Sequence, residues 1–393
     1  MEKYRAGVVG IGFIGAAHIE QLRRLGNVEV VALASTTNPD KKAEALCVPK
    51  GYVDYHDMID RENLDCLHIC TPNSSHYEIA MYALEKGVHV VCEKPMATTI
   101  AEAEKMLAKA KETGLVNAVN YNCRFYPLVF QIREMIRAGK LGSLYHIGGS
   151  YLQDWLFLDT DYSWRLEKDL SGNSRAFGDI GTHWIDMVQF VTGLKVTEVM
   201  ADFAIFHKTR KKPVKPVGTY SGMALRPEDY EEKPVSTEDY ALVAFHLENG
   251  VYGSCTVSQV FAGRKNQMVL DIGGSKSAVH WDSENSNALW IGRRECENGE
   301  LVKDPSILSP AASGITGFPG GHVEGFPDTF KQNFRKIYEA IGAGSQNPAA
   351  GSRTGTANFA GPDFAAFEDG LQEMILIEKI IQSAGERRWI SIK

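Results

Sequence analysis

The chain has 393 residues, 44% of them hydrophobic and 23% charged, which is the composition of a globular protein with room for two domains. Its net charge of −7 argues against a general affinity for nucleic acid or an anionic membrane. The seven scattered cysteines do not suggest a disulfide framework. The opening residues MEKYRAG lack the apolar core of a signal peptide, and no uncharged apolar run reaches the length of a membrane span, so we expect a cytoplasmic protein.

Up to Asn122 the chain alternates strand and helix patterns. The predicted strands are RAGVVGIG, VEVVALAS, LDCLHICT, VHVVCEKP and LVNAVNYN, and the predicted helices are FIGAAHIEQLRRLG, SSHYEIAMYALEKG and TIAEAEKMLAKAKETG. Thr99 and Glu102 form a predicted capping box for the last helix. Regular alternation of this kind predicts an α/β fold for residues 1–122, with a doubly wound parallel sheet and right-handed crossovers.

After Asn122 the pattern changes to one helix, a series of strands and two late helices. Asn249-Gly250 lies between two β-rich runs and is a strong hairpin signal, and QMVLDIGGSKSAVHW with ALWIG indicates another hairpin. We therefore predict an α+β domain with an open, largely antiparallel sheet over residues 123–393. The Pro- and Lys-rich segment 207–218 is expected to be a solvated loop whose charges need no partner.

The stretch GVVGIGFIGAAH contains Gly10-x-Gly12-x-x-Gly15 between a predicted strand and a predicted helix, which is the setting that a dinucleotide-binding loop requires. Gly10 permits the turn, Gly12 lets the backbone approach a pyrophosphate, and Gly15 lets the helix pack on the strand. The N–H groups of the helix N-terminus then face the anion. We favour cofactor binding over an ordinary glycine turn, with Gly10, Gly12, Phe13, Ile14 and Gly15 at the phosphates.

The second predicted strand is followed by Ser35, Thr36 and Thr37, where NAD enzymes usually carry a carboxylate for the ribose 2′-hydroxyl. Because no carboxylate is present here, a 2′-phosphate would not be repelled. No arginine is present to bind such a phosphate, and Lys41 and Lys42 fall in the next predicted helix region. We expect these hydroxyl residues to bind NAD or NADP, with NAD favoured.

Cys66, His68 and Cys70 alternate in LDCLHICT, so all three would face one side of a strand. A metal site would need a fourth ligand or an open position. We favour a buried strand in which cysteine acts as a small hydrophobic residue, and we predict no metal.

Two further stretches carry candidate chemistry. Glu93-Lys94-Pro95 follows a predicted parallel strand, and ligands of open α/β sheets bind at the carboxyl ends of strands. In GDIGTHWIDMVQFVTG, a helix would place Asp179 and His183 on one face. Histidine suits removal of an alcohol proton near neutral pH, Lys94 would stabilise the developing alkoxide, and Asp179 would orient the histidine or bind a substrate hydroxyl. The alternatives are a surface lysine and a structural Asp/His pair.

These motifs, in this order, resemble the glucose–fructose oxidoreductase / inositol dehydrogenase / rhizopine-catabolism family over essentially the whole chain. The resemblance implies a Rossmann domain, a C-terminal domain that binds substrate and pairs into dimers or tetramers, and NAD(P)-dependent oxidation or reduction of sugars and cyclitols. It implies Lys94, Asp179 and His183 as the active-site set, with His183 as the acid/base. The cofactor site that it implies in CTPNSSH, EKP and NCRFYP consists of Thr71, Pro72, Asn73, His76, Glu93, Lys94, Asn122 and Arg124.

The longer pattern YLQDWLF…DYSWRLE…SGNSRAFGDIGTHW is similar to a subgroup that acts on pyranosides, the levoglucosan-dehydrogenase-like and glycoside 3-oxidising enzymes. Many family members have a run of glycines before the aspartate, where this chain has LSGNSRAFGDIG. Aromatic faces stack on sugar C–H surfaces, and Gln and Arg donate to hydroxyls. The predicted substrate residues are Lys94, Tyr151, Gln153, Trp155, Arg165, Asp179, His183 and His322, and Trp164 and Arg165 are predicted to contact the cofactor.

The expected reaction is hydride transfer between the nicotinamide and a ring secondary hydroxyl of a pyranose, glycoside or cyclitol, at C3 by analogy with the subgroup. An NAD-dependent glycosidase acting by transient oxidation and elimination shares the first chemical step and stays an alternative. A redox sensor would need only the glycine loop, so the presence of Lys94, Asp179 and His183 argues against it. The expected partners are a small sugar-like substrate and further copies of the chain in a homo-oligomer.

Overall fold

The computed structural model describes residues 3–214, 227–344, 359 and 361–392. The chain divides into two compact units. The first contains Met1–Phe125, Phe326–Thr354 and Phe359–Met374, and the second contains Tyr126–Gly325, Gly355–Asn358 and Ile375–Lys393. The predicted domains, 1–122 and 123–393, are each one continuous segment and stay a prediction. Each compact unit, in contrast, is assembled from several segments of the chain.

The first unit is built on a six-stranded parallel sheet with the order β3-β2-β1-β4-β5-β6. This is the strand order of a dinucleotide-binding fold, so the predicted doubly wound parallel sheet is confirmed. The strands are β1 Tyr4–Val9, β2 Val28–Ala34, β3 Lys50–Tyr52, β4 Cys66–Ile69, β5 His89–Cys92 and β6 Asn117–Val119. The helices are α1 Phe13–Arg23, α2 Pro39–Ala45, α3 Tyr55–Glu62, α4 His76–Glu85 and α5 Ile100–Thr113.

Local sequence accounts for several of these boundaries. The Thr99 side chain accepts a hydrogen bond from the backbone N–H of Glu102, and the Glu102 carboxylate accepts one from the backbone N–H of Thr99, so the predicted capping box of α5 is confirmed. The helix ends at Gly114, which takes the left-handed conformation with φ 67°. The sequence pattern predicts neither β3 nor α3, which are short, whereas α2 is the helix region expected at Lys41 and Lys42.

A late helix, α10 (Phe326–Gly342), completes the first unit. Its side chains Phe330, Phe334 and Tyr338 are buried, and the Phe334 ring lies 4.7 Å from the ring of His18 and 4.8 Å from that of His68. The apolar face of α10 therefore covers residues from α1 and β4 in the same core.

The second unit is built on a nine-stranded sheet with the order β16-β15-β14-β13-β7-β12-β11-β8-β17. Neighbouring strands are antiparallel except β7 and β12, so the predicted largely antiparallel sheet and its Asn249-Gly250 hairpin are confirmed. The sheet strands are β7 Leu144–Leu152, β8 Val196–Ala204, β11 Tyr240–Leu247, β12 Val251–Ser258, β13 Gln267–Gly274, β14 Ala278–Asp282, β15 Ala288–Gly292, β16 Gly299–Val302 and β17 Ile390–Ser391. The helices are α6 Pro127–Arg137, α7 Lys168–Ser171, α8 Thr182–Thr192, α9 Pro310–Gly314 and α11 Phe367–Glu386, of which α11 begins in the first unit.

A separate two-stranded ribbon, β9 (Thr209–Pro213) with β10 (Tyr230–Pro234), belongs to the second unit. The expectation of a solvated loop at 207–218 is wrong for residues 209–213, because Arg210 is fully buried and pairs with Asp239. Residues 215–218 lie outside the described part of the chain.

The two faces of the nine-stranded sheet differ in exposure. On the inner face Trp184 of α8 donates to the backbone oxygen of Val269, and the Trp184 ring packs on Phe245. The outer face leaves large side chains exposed, namely Met200, Leu242, Tyr252 and Trp290. Met200 and Leu242 lie between two buried neighbours along their strands, and Tyr252 and Trp290 each follow a buried residue, as expected for a sheet with one covered face.

Candidate active site

Of the three glycines in the loop of the first unit, only Gly12 has room for a Cβ atom, and Gly10 and Gly15 have none. A Cβ on Gly10 would lie 2.6 Å from the backbone of Cys70 and Thr71, and one on Gly15 would lie 2.1 Å from the oxygen of Gly10. Gly10 also has φ 87°, which favours glycine. Gly12 has nothing within 4 Å of its Cβ position, and α1 begins there without a side-chain cap. The uncapped N–H groups of α1 therefore border open space, which fits a pyrophosphate.

Phe13 and Ile14 form the first turn of α1, and the Phe13 side chain is exposed. At the end of β2, Ser35 is buried and Thr36 and Thr37 are exposed. The Lys42 ammonium donates to the hydroxyl of Ser35 at 2.7 Å and to that of Thr37 at 3.2 Å. The strand end thus carries hydroxyls and one positive charge.

The loop after β4 is tied to the loop after β5 by His76. Its Nδ1 lies 2.9 Å from the backbone oxygen of Pro95, and its Nε2 lies 3.0 Å from that of Thr71. Burial lowers the pKa of His76, although both backbone contacts oppose the shift. The intervening Pro72 and the buried Asn73 are thereby placed at the carboxyl end of β4.

Glu93 and Lys94 follow β5 at the same edge of the sheet. The Glu93 carboxylate Oε1 lies 3.1 Å from Nε2 of His18 and accepts a hydrogen bond from Asn120 at 2.5 Å. The Lys94 backbone N–H lies 3.3 Å from the other carboxylate oxygen of Glu93. Burial alone raises the pKa of Glu93, but His18, Lys94 and Asn120 together lower it to about 2. A buried carboxylate therefore stays charged beside the candidate catalytic lysine.

The network continues from His18 into the core. Nδ1 of His18 lies 3.0 Å from Nδ1 of His68, and Nε2 of His68 lies 3.2 Å from the hydroxyl of Tyr338. Burial, with the charge of His18 as a smaller cause, lowers the pKa of His68 well below its usual value. Burial also raises the pKa of Cys66 to about 12. In the described ranges, no group of three or more His, Cys, Asp or Glu side chains is placed to hold a metal ion.

Asn122 and Arg124 are both buried in the first unit after β6. Asn122 donates to the hydroxyl of Thr329 on α10 at 2.7 Å, and Arg124 forms an ion pair with Asp369 at 3.4 Å. Two side chains of the NCRFYP motif, those of Asn122 and Arg124, are therefore held by later segments of the chain.

In the second unit, Asp179 lies in a π-helical turn, Phe177–Gly181, and His183 follows in α8. The helix considered from the sequence is present, but its first turn is π-helical rather than α-helical. The Asp179 carboxylate accepts from Nε of Arg165 at 3.1 Å and from Nε2 of Gln259 at 2.8 Å. Its two oxygens are thus bound by donors from two different segments.

Arg165 lies between aromatic rings. Its guanidinium carbon is 4.7 Å from the ring centre of Trp164 and 5.7 Å from that of Trp155, distances at which a cation is attracted to a ring face. Both tryptophans are partly exposed, and Trp155 also packs on a buried cluster that contains Leu156 and Leu166. Trp155 also donates to Gln153 at 2.8 Å.

A polar row leads from these tryptophans toward His183. Gln153 donates to the side-chain oxygen of Asn266 at 2.7 Å, and Tyr151 donates to the same oxygen at 2.8 Å. The Tyr151 ring lies 6.4 Å from the His183 ring, edge to face. Contacts among these side chains, some of them through Asn266 and Gln259, form one connected cluster. The cluster contains seven predicted residues: Tyr151, Gln153, Trp155, Trp164, Arg165, Asp179 and His183.

His322 is exposed on the loop before α10, and its Nδ1 lies 3.2 Å from the oxygen of Gly320. Its place in a substrate site stays a prediction. No sequence motif singles out the further polar residues of these networks, which are Gln259, Asn266, Arg175, His18 and Asn120. His18 gave one signal, since it lies on the first helix after the glycine loop, but its partner Glu93 is 75 positions away.

Two family models match consecutive parts of the chain. The model described as "Oxidoreductase family, NAD-binding Rossmann fold" matches residues 4–121, and the "GFO/IDH/MocA C-terminal domain" matches residues 129–280. The chain belongs to the Gfo/Idh/MocA oxidoreductase family. Its first sheet and glycine loop form an NAD-binding Rossmann domain, and the chain is an NAD-dependent oxidoreductase of a family of sugar and cyclitol enzymes.

Relatives of this family member cover its full length. A levoglucosan dehydrogenase from Pseudarthrobacter phenanthrenivorans is 27% identical over 406 residues, covering 100% of this chain and 99% of the relative. A solved oxidoreductase domain protein from Kribbella flavida is 29% identical with a TM-score of 0.84, and a levoglucosan dehydrogenase solved with NADH and L-sorbose is 25% identical with a TM-score of 0.85. Both cover 100% of both chains. Within the described residues no helix is both long and apolar enough to cross a membrane.

Proposed function

We propose that this chain oxidises a ring secondary hydroxyl of a pyranose, glycoside or related cyclitol with NAD. The observation that carries the proposal is the connected cluster in the second unit. Its aromatic surface at Trp155 and Trp164 suits the C–H face of a sugar ring, and its donors and acceptors at Gln153, Arg165 and Asp179 suit several hydroxyls. The relatives named as levoglucosan and inositol dehydrogenases support the same substrate class.

In the proposed reaction, the substrate C–H bond breaks with its electron pair and the hydroxyl O–H bond supplies the pair of the new C=O bond. NAD, when bound at the glycine loop, would supply the acceptor for the hydride. His183 takes the hydroxyl proton, since a histidine titrates near neutral pH. Lys94 stabilises the negative charge that develops on the oxygen, and Asp179 accepts a hydrogen bond from a hydroxyl of the ring. These roles rest on the family resemblance and on the geometry within each unit.

The reacting carbon is proposed to be C3, by analogy with the pyranoside subgroup. A site that hydrogen-bonds several hydroxyls rejects analogues that lack one, because buried polar groups are then left unpaired. A glycoside is therefore compared with its 2-deoxy and 3-deoxy analogues. A 3-deoxy analogue oxidised at the rate of the parent sugar would show that the reacting carbon is not C3.

The substrate class is tested with a panel of sugars, glycosides and cyclitols, including levoglucosan and myo-inositol. Each is incubated with NAD and with NADP, and the reduced cofactor is followed by absorbance. Net accumulation of NADH supports a dehydrogenase. Release of a free aglycone without NADH would indicate the glycosidase alternative, and reduction only with simple 2-hydroxy acids would contradict the sugar class.

A further inference from the structure

Gln259 is a buried polar residue that neither the motifs nor the proposed reaction uses. It follows β12, its side chain has no exposed surface, and its Nε2 lies 2.8 Å from the Asp179 carboxylate. Its other polar atom, Oε1, accepts from Nη1 of Arg175 at 3.1 Å. Both ends of the amide are therefore bound.

These two partners fix which way the amide points. A guanidinium can only donate, so the oxygen of Gln259 must face Arg175. The amide nitrogen must then face Asp179, where a carboxylate can only accept. The orientation is set by chemistry, and the N–H of Gln259 is committed to one oxygen of Asp179.

Arg175 is itself fixed. It is fully buried and forms an ion pair with Asp239, which a second buried arginine, Arg210 of the ribbon, shares at 2.8 Å. Nε of Arg175 also donates to the hydroxyl of Thr237 at 3.3 Å. Breaking such a buried pair by removing one partner is strongly unfavourable, so this cluster is a rigid support for Gln259.

The same ribbon supports the segment that holds the other oxygen of Asp179. Arg210 donates to the backbone oxygens of Leu158 and Asp161, and Lys212 forms an ion pair with Glu167 at 2.8 Å. Arg165, which lies on this segment, donates to the first carboxylate oxygen of Asp179. Both donors to Asp179 are thus connected to one buried charge cluster.

We infer that Gln259 is a positioning residue, which holds the Asp179 carboxylate in the orientation that binds a substrate hydroxyl. The inference rests on the proposed catalytic role of Asp179. The ionisable groups that face or support this amide are Asp179, Arg165, Arg175, Arg210, Asp239, Glu238 and, on the following helix, His183.

The first test is Gln259→Met, which keeps the length of the side chain and removes both hydrogen bonds. The variant loses the hydrogen bond from Gln259 to the charged Asp179 carboxylate, so that Asp179 is no longer held in the reacting geometry. We therefore expect kcat to fall about tenfold or more, with the KM for NAD unchanged. The matched control is Gln267→Met, because Gln267 is another buried glutamine of the second unit and donates to the carboxylate of Asp282 at 2.6 Å. Equal kcat losses in both variants would reduce Gln259 to a structural residue and overturn the inference.

The second test, Gln259→Glu, serves even if the first variant folds poorly. One oxygen of the new carboxylate still accepts a hydrogen bond from Arg175, and the other faces the Asp179 carboxylate. Two facing carboxylates repel each other unless they share a proton. The ratio of mutant to wild-type kcat is therefore expected to rise as the pH is lowered, and a ratio that does not change with pH would overturn the inference.

Asp179→Asn separates the two proposals. An inactive Asp179→Asn together with a fully active Gln259→Met would overturn the positioning role and leave the proposed function standing. A fully active Asp179→Asn would overturn the proposed role of Asp179 and the positioning role of Gln259, and would leave sugar oxidation itself standing.

Discussion

Glu93 and Asp179 are both carboxylates held in place by donors, but the donors differ in kind. Glu93 is bound by a histidine and an amide, and its pKa of about 2 keeps it charged at any physiological pH. Asp179 is bound by an arginine and an amide. The charged Glu93 is adjacent in the chain to Lys94, the residue proposed to stabilise the alkoxide.

The depressed pKa of Glu93 has a consequence for acid stability. Its ordinary value is 4.5, so the charged form is favoured by folding, and the stabilisation is present above about pH 4.5 and lost as the pH falls toward 2. Glu93→Gln lacks this titration. The difference in unfolding free energy between the wild type and Glu93→Gln is expected to shrink between pH 5 and pH 2.5, measured by urea unfolding. A constant difference over that range would contradict the prediction.

Lys94→Ala tests the proposed electrostatic role. Loss of a positioned charge or proton-transfer group predicts a turnover at least about 100-fold lower, while the fold and NAD binding persist. Turnover is measured at saturating sugar, and NAD binding is measured by calorimetry on the same preparation. Turnover near the wild-type rate in a folded variant would remove Lys94 from the mechanism.

His183→Ala tests the proposed base. Oxidation by the wild type is expected to rise with pH as the histidine loses its proton, and this step is expected to disappear in the variant. The measurement is kcat/KM for the sugar from pH 5 to pH 10. An identical pH profile in both proteins would transfer the role of the base to Lys94.

At the scale of elements, we predict that the end of β2 contributes to the choice between NAD and NADP. Lys42 of α2 reaches back to the hydroxyls of Ser35 and Thr37, so a positive charge lies where other Rossmann proteins carry a carboxylate. An ammonium interacts more strongly with a 2′-phosphate than with a 2′-hydroxyl.

Lys42→Met is therefore expected to lower kcat/KM with NADP by about tenfold and with NAD by much less. Initial rates with both cofactors at one fixed sugar concentration provide the measurement, and Lys41→Met on the same helix is the matched control. An equal loss with both cofactors would show that Lys42 does not contribute to the distinction.

Structural elements that are determined by neighbouring residues could be predicted from the sequence. Elements that depend on residues far away in the chain could not. The buried β-runs, the capping box at Thr99 and the turn at Asn249 depend on neighbouring residues only, and each is confirmed. The ribbon strand β9 depends on the pairing of Arg210 with Asp239, 29 positions away. The candidate site shows the same division. The glycine loop is a local motif, whereas the inferred role of Gln259 depends on its hydrogen bond to Asp179, 80 positions away.

At the scale of the whole molecule, the outer face of the nine-stranded sheet bears on assembly. Met200, Leu242, Tyr252 and Trp290 are between 37% and 61% exposed on strands of one sheet. Large apolar surfaces of this kind are unusual on a monomer. We propose a homo-oligomer that uses this face, in agreement with the family resemblance.

Light scattering at micromolar concentration is expected to give the mass of a dimer or tetramer. Leu242→Lys combined with Tyr252→Lys should lower that mass, because the charges would be buried without partners. Lys109→Ala, on α5 of the first unit, is a control at a residue that does not belong to this sheet. A monomer mass for the wild type would refute the proposal.

The helix α10 has a consequence for how the chain folds during synthesis. Phe330, Phe334 and Tyr338 fill the core of the first unit, yet they are synthesised after almost every strand of the second. Domains generally fold as they leave the ribosome, with the N-terminal one first. Here the strands β7 to β16 emerge before the first unit has its closing helix, so the part that is translated first is completed late. Until α10 is synthesised, the sheet at His68 lacks the rings of Phe334 and Tyr338 that pack on it in the folded chain.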